Sequence, residues 1–279
     1  MLSYRHAFHA GNHADVLKHA VLVQVLDYLK QKDTPFLFVD THAGAGLYDL
    51  ASPWAQKNRE FENGIGRLVR CRQLPDELGA YVGVITSLNG EGPLQRYPGS
   101  PWLAAERLRS VDKMRLFELH PAEFEALGAV FRSDKRVKVE QQDGFKALPA
   151  LLPPKQRRAL VLIDPPYEVK QDYTTAVTAL QTAWRRFPAG VYILWYPVVL
   201  RASIDRLESD VKNSGIRDVL LVELEVGSEQ GGGMQGSGLI LVNAPWTLKP
   251  QLQNMLPFLA DTLGLEGQGH YCMETLAGE

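Results

Sequence analysis

Short apolar runs separated by stretches of helical periodicity constrain this chain more than any other feature. Pro35 to Asp40, Met114 to Glu118, Val137 to Glu140, Ala159 to Ile163 and Val191 to Trp195 are each too short for a helix. Bounded by turn residues, such runs read as strands buried on both faces of a parallel sheet. Ala14 to Lys30 lies before the first of them and reads as an amphipathic helix, with Leu22, Val25, Leu26 and Leu29 at helical spacing. Two final runs, Val219 to Leu224 and Gly238 to Val242, are joined by the glycine-rich segment Gly227 to Gly238. With no helix between them, that pair reads as an antiparallel hairpin. The expected architecture is α/β: a doubly wound sheet of seven strands, mostly parallel, with a terminal antiparallel hairpin.

One interval breaks the rhythm. More than seventy residues separate the Gly44/Gly46 turn from Glu118, where a strand-helix-strand unit needs about thirty. Within residues 48–98, Phe61, Ile65, Leu68 and Val69 suggest helix, and Pro75, Asn89-Gly90 and Gly92-Pro93 suggest turns. The segment reads as an inserted, helical subdomain in one domain spanning residues 1–279; an extended surface excursion is the plainer alternative.

Composition excludes several classes. At 279 residues, 45% hydrophobic and 22% charged, the chain is long enough for a sizeable core. A formal net charge of −2 argues against a protein that coats nucleic acid by bulk attraction. The basic residues Arg132, Lys135, Arg136, Lys138, Lys155, Arg157 and Arg158 then read as a solvated face or a local phosphate contact. No apolar run approaches the roughly 18 residues of a membrane span, and Met1 to His6 lacks a signal-peptide pattern. A cytoplasmic, monomeric protein without a membrane partner is expected. Cys71 and Cys272 suggest neither a disulfide framework nor a zinc site. His9 and His13 have metal-compatible spacing but no cysteine beside them, so no metal is expected.

The chemistry lies at the strand ends. Ala159 to Ile163 runs directly into Asp164-Pro165-Pro166-Tyr167, and two prolines end a strand abruptly. An acid, a rigid turn and a ring thus stand at the carboxyl end of a strand, where open α/β sheets bind ligands. The Asp164 carboxylate and the neighbouring carbonyl can accept hydrogens from an exocyclic amine while Tyr167 stacks on the base. Asp40 ends the first strand before Gly44-Ala45-Gly46, a turn that admits a ligand close to the backbone. Glu118 ends the second strand, suited to ribose hydroxyls, and Asp143-Gly144 follows the third, suited to an adenine amine. Each acid alone could be a turn or cap residue; four along one edge indicate a nucleoside-bearing cofactor.

A dinucleotide fingerprint would need a third glycine where this chain has Asp49, whose charge would repel a pyrophosphate. S-adenosylmethionine carries a ribose, an adenine and a sulfonium but no phosphate, and suits an acid-lined edge. The implied reaction is methyl transfer to an amine.

The run from Tyr4 to His19, together with Asp40 to Gly44, Tyr97 to Pro101, Glu118 to Pro121, Asp143-Gly144 and Asp164 to Tyr167, resembles the RlmJ family of 23S rRNA adenine-N6 methyltransferases over essentially the whole chain. Asp-Pro-Pro-Tyr occurs in many amino-methyltransferases, and the N-terminal block selects the family. The resemblance implies a Rossmann-like class I methyltransferase fold with a helical insertion. It implies cofactor contacts at His19, His42, Ser100, Glu118, Asp143 and Gly144, and Asp164 as catalytic acceptor. It also implies substrate contact at Tyr4, with His6 and Lys18 nearby, and 23S rRNA as partner. A DNA adenine methyltransferase, or a non-catalytic nucleoside-binding protein on the same sheet, remain the rival readings.

Overall fold

Eight strands form one mixed sheet in the computed structural model, which describes residues 5–227 and 234–278. The strands, in chain order, are β1 (Leu37–Asp40), β2 (Leu47–Asp49), β3 (Arg96–Pro98), β4 (Lys113–Phe117), β5 (Val137–Glu140), β6 (Ala159–Ile163), β7 (Val191–Val198), β8 (Val219–Glu225), β9 (Gly236–Val242) and β10 (His270–Ala277). The helices are α1 (His13–Lys30), α2 (Pro53–Asn58), α3 (Glu60–Asn63), α4 (Ile65–Arg70), α5 (Asp76–Asn89) and α6 (Ser100–Ala105). They continue with α7 (Pro121–Phe131), α8 (Gly144–Leu151), α9 (Gln171–Arg186), α10 (Arg201–Lys212) and α11 (Leu248–Leu263).

The sheet order is β10-β8-β9-β7-β6-β1-β4-β5, and β5, β4, β1, β6 and β7 are mutually parallel. From β1 the chain moves outward to β4 and β5, then returns to β6 and moves the other way to β7. The reversal leaves a crevice beyond the carboxyl ends of β1 and β6, the usual ligand position in such sheets. Asp40 and Asp164 flank it.

The five parallel strands and the antiparallel β8–β9 pair match the expected elements, but the strand count does not. Seven strands were expected; β10 adds an eighth, antiparallel to β8. Its sequence, His270-Tyr271-Cys272-Met273-Glu274-Thr275-Leu276-Ala277, is a largely exposed edge strand with few aliphatic residues, so it carries no apolar run to announce it. Residues 228–233 of the glycine-rich connection lie outside the described residues.

Period-two burial explains how the sheet carries two cores. Phe38, Leu160, Leu162 and Ile193 face one core with α1, α5 and α11. Leu37, Val39, Val161, Ile163 and Leu194 face the other with α8, α9 and α10. Between β1 and β4, the chain leaves and returns through a two-stranded ladder pairing Tyr48 with Tyr97, and α2 to α5 lie between. Phe61, Ile65, Tyr81 and Ile85 from that stretch join the α1 core.

Helix α1 positions the site. It starts where the Asn12 side chain accepts from the amides of Ala14 and Asp15, a standard N-cap worth about 1 kcal/mol. Fourteen of its 18 residues are buried, so it is enclosed rather than amphipathic. Any charge on such a helix needs a partner. Asp15, Lys18 and His19 are all buried polar residues on it.

Candidate active site

The end of β6 sets Asp164 at the crevice, and Pro165 and Pro166 turn the chain away. Tyr167 then adopts a left-handed conformation (φ 50°), which costs a non-glycine residue roughly 1 kcal/mol or more. The Tyr167 hydroxyl donates to the Trp195 carbonyl at 2.6 Å, and its ring meets those of Tyr173 and Trp195. The turn is therefore pinned to Trp195 within β7.

Asp164 is not alone. Lys18 Nζ donates to Asp164 Oδ2 at 2.6 Å, and it also lies 2.9 Å from Asp15 Oδ1. The Lys18 side chain is 4% exposed and that of Asp15 1%. Asp15 Oδ2 accepts from the amide of Gly11 at 2.9 Å and from His6 Nε2 at 2.8 Å. Burial works against the Lys18 ammonium, yet the charges of Asp15 and Asp164 outweigh it and hold its pKa above the ordinary lysine value. Burial likewise works against the Asp15 carboxylate, and the charges of His6 and Lys18 win, holding it well below its usual range. The indole of Trp195 closes the arrangement, with Lys18 Nζ 5.4 Å from the ring centroid.

The other strand-end acids are held differently. Glu118 accepts from the amides of Gly44 (2.9 Å) and His120 (2.7 Å). Burial raises its pKa against those bonds. Asp143 caps α8, accepting from the amides of Phe145 and Lys146. Asp40 accepts from Ser100 Oγ at 2.7 Å. Burial pushes the Asp40 carboxyl up to about 7, with the charge of Asp164 adding to the effect against the Ser100 bond.

His42 packs edge-on against Phe145 at 4.7 Å, and burial lowers its pKa to about 4. His19 stacks on Tyr97, is hydrogen-bonded to its hydroxyl at 2.7 Å, and is lowered by burial to about 3. Both are neutral at physiological pH. His9 pairs with Glu60 at 2.9 Å, which also accepts from Asn12.

One cavity of about 980 Å³ joins these groups. His6, Lys18, His19, His42, Ser100, Glu118, Asp143, Gly144, Asp164 and Tyr167 all line it, whereas Asp40, the fourth strand-end acid, is buried behind Ser100 and does not. Tyr4 lies outside the described residues.

Sequence reasoning missed Asp15 and Trp195. Asp15 carried a usable signal: it stands three residues before Lys18 in a helix of otherwise apolar turns, the mark of a buried ion pair. Trp195 carried none beyond its place at a strand end.

Residues 33–277 match the model of a family described as "Ribosomal RNA large subunit methyltransferase D, RlmJ". The chain belongs to the RlmJ family. It is 48% identical over 280 residues to Ribosomal RNA large subunit methyltransferase J of Escherichia coli (strain K12), covering 100% of each chain. It is 47% identical over 281 residues to the protein of the same name from Haemophilus influenzae, again covering 100% of each. A crystal structure of a Legionella pneumophila protein is similar at 36% identity and TM-score 0.90, covering 96% of this chain and 98% of that one. As an RlmJ-family protein the chain is an rRNA methyltransferase that uses S-adenosylmethionine.

The RlmJ site fits that cofactor. A Cβ on Gly144 would come within 2.1 Å of the Thr41 carbonyl, and one on Gly44 (φ 59°) within 2.2 Å of the Tyr48 hydroxyl. Both glycines are therefore needed for the close backbone turns at the ends of β1 and β5. Carboxylates and neutral imidazoles line this half of the cavity, a set that suits hydroxyls, an adenine amine and a cation rather than a phosphate.

Proposed function

We propose that this enzyme methylates the N6 amine of a specific adenine in 23S rRNA, acting as a cytoplasmic monomer. The observation carrying the proposal is the Asp164 carboxylate: fixed through Oδ2 by Lys18 at 2.6 Å, it keeps Oδ1 for a substrate donor. When bound, S-adenosylmethionine supplies an electrophilic methyl group on a sulfonium. On the proposed reading Glu118, Asp143, Gly144, Ser100, His19 and His42 hold it, with Asp40 behind Ser100.

Asp164 acts on the amine. The adenine N6 lone pair is delocalised into the ring and attacks poorly. Accepting one N6 hydrogen at Asp164 Oδ1 and another at the Pro165 carbonyl favours a pyramidal amine and frees the lone pair. As positive charge develops on N6, the fixed carboxylate stabilises it. Lys18 orients Asp164 through its 2.6 Å contact, Asp15 holds Lys18, and Trp195 shields the pair from water. Tyr167 offers its ring to the base, and Tyr4 and His6 complete the acceptor side. The recessed strand end requires the adenine to be unstacked from its RNA context. Residues 48–98 serve as an inserted helical subdomain on the single domain spanning residues 1–279.

The test is mass mapping of 23S rRNA from cells lacking the protein. One adenine should lose a methyl group and regain it when the protein is restored. An unchanged map, or labelled methyl passing to DNA instead, would reject the proposal.

A further inference from the structure

The rim of the cavity carries rings and cations that methyl transfer does not use. The Arg5 guanidinium lies over the Trp54 ring, 4.9 Å from its centroid. Phe8 meets Trp54 edge-on at 5.2 Å. Lys57 Nζ lies 5.5 Å from the Phe8 ring centroid. Trp54 and Lys57 stand on α2, whereas Phe8 ends a 3-10 turn spanning His6–Phe8 that follows Arg5. Trp54 remains 44% exposed, a high value for a residue type that is mostly buried.

Position gives this cluster meaning. His6 and His9, on either side of Phe8 in the chain, line the cavity, and so does Asn58, one turn after Trp54. The ledge is therefore continuous with the mouth through which a target base enters. Among the described residues, neither Arg5 nor Lys57 is paired with a carboxylate, whereas Arg59 of the same stretch is bound to Glu62 and Arg67 to the carbonyls of Thr262 and Gly264. Arg5 and Lys57 lie on the rings instead.

We propose that the Arg5–Phe8–Trp54–Lys57 ledge binds the RNA nucleotide adjacent to the target adenine, its base stacked on Trp54 and its phosphate held by Lys57 and Arg5. The inference rests on the reading of the substrate as rRNA. Unstacking one base leaves its neighbour without a stacking partner, and an indole beside the pocket replaces it. A guanidinium on the indole adds a cationic face, and every base offers a π-face to it. Phosphate contacts by the two cations would set the register of the strand without reading its sequence.

The test is steady-state kinetics on an unmodified 23S rRNA transcript, with S-adenosylmethionine affinity measured by calorimetry. Trp54→Ala should raise KM for the transcript about tenfold, and Trp54→Phe should restore most of it. In both variants kcat and cofactor affinity should stay within about twofold of wild type, since stacking on the rim is uniform binding. Lys57→Ala should raise KM by a smaller factor and flatten its salt dependence by roughly one phosphate contact. Lys57 is fully on the surface, so this second variant keeps the proposal testable if Trp54→Ala folds poorly. A transcript KM unchanged in Trp54→Ala, together with an unchanged salt dependence in Lys57→Ala, would overturn the ledge while leaving the adenine reading intact. A wild-type enzyme that methylates no 23S transcript would overturn the substrate reading and the ledge with it.

Discussion

On the β1, β4 and β5 side of the sheet edge, Glu118 takes the amides of Gly44 and His120, and Asp143 takes those of Phe145 and Lys146. On the β6 side, Asp164 is fixed by a lysine ammonium 146 positions earlier in the chain. Main-chain amides are neutral, and three of these four lie within three residues of the acid they meet; the Gly44 amide comes from the turn after β1, 74 positions from Glu118. In a buried ion pair, removing one member leaves an uncompensated charge, which costs about 3–5 kcal/mol. The cofactor half is therefore held mostly by neutral main-chain donors, and the acceptor half hangs on one long-range charge pair. Side-chain changes should grade the cofactor half and switch off the acceptor half.

The largest expected effect is at Asp164. Asp164→Asn should lower turnover by about a thousandfold, the scale of losing a preorganised electrostatic partner, with cofactor binding unchanged by calorimetry. Wild-type turnover in that variant would remove Asp164 from the mechanism. Next comes Lys18→Met, which keeps the length of the side chain and removes its charge. Turnover should fall about a hundredfold, and urea unfolding should show several kcal/mol of lost stability, on the order of 3–5, because Asp15 and Asp164 lose their shared partner. A variant as stable and active as wild type would show that the pair is incidental.

On the other half the effects should be smaller and of a different kind. Glu118→Gln keeps an acceptor for one amide but removes the charge, so cofactor Kd should rise about tenfold while the methylation rate at saturation changes little. A collapse of that saturated rate would break the division between the halves.

Smallest is Ser100→Ala, which takes the one hydroxyl donor from Asp40. Because burial raises Asp40 to about 7, its native carboxyl holds a proton that the unfolded chain has lost between roughly pH 4 and 7. Its contribution to stability therefore falls as pH rises through that window. The Ser100 bond lowers this cost by favouring the ionised form. Ser100→Ala should then cost about 1–3 kcal/mol at pH 8, and less at pH 6, where Asp40 is mostly protonated. Thermal unfolding at the two pH values checks the sign; an equal loss at both would refute it.

The two halves also differed in how legible they were. Glu118, Asp143 and Gly144 could be named from the residues because each acid follows an apolar run, and the amides of His120, Phe145 and Lys146 that meet them are two or three residues on. The Gly44 amide on Glu118, 74 positions away, was not legible. Asp164 could be named from its tetrapeptide, but its partnership with Lys18 could not, because nothing in a linear pattern ties α1 to the end of β6. Lys18 entered through family resemblance as a residue near substrate, and the structure sets its ammonium 2.6 Å from Asp164. His19 and His42 came only from resemblance, since a neutral histidine in an apolar pocket leaves no periodic trace. In the fold, the apolar runs located the parallel strands, whereas β10 escaped because edge strands can be polar on both faces. The same limit hid the ledge: Trp54 becomes meaningful only when α2 packs against the turn containing Phe8.

The central claim is that Lys18 acts on the methylated amine through Asp164, and a double-mutant cycle tests it most directly. Methyl transfer from labelled S-adenosylmethionine to unmodified 23S rRNA would be measured for Lys18→Met, Asp164→Asn and the double variant, each at saturating cofactor. If the two residues work as one unit, the double variant will be about as slow as Asp164→Asn alone. Losses that multiply would mean that Lys18 and Asp164 serve the reaction separately, and the account would be wrong.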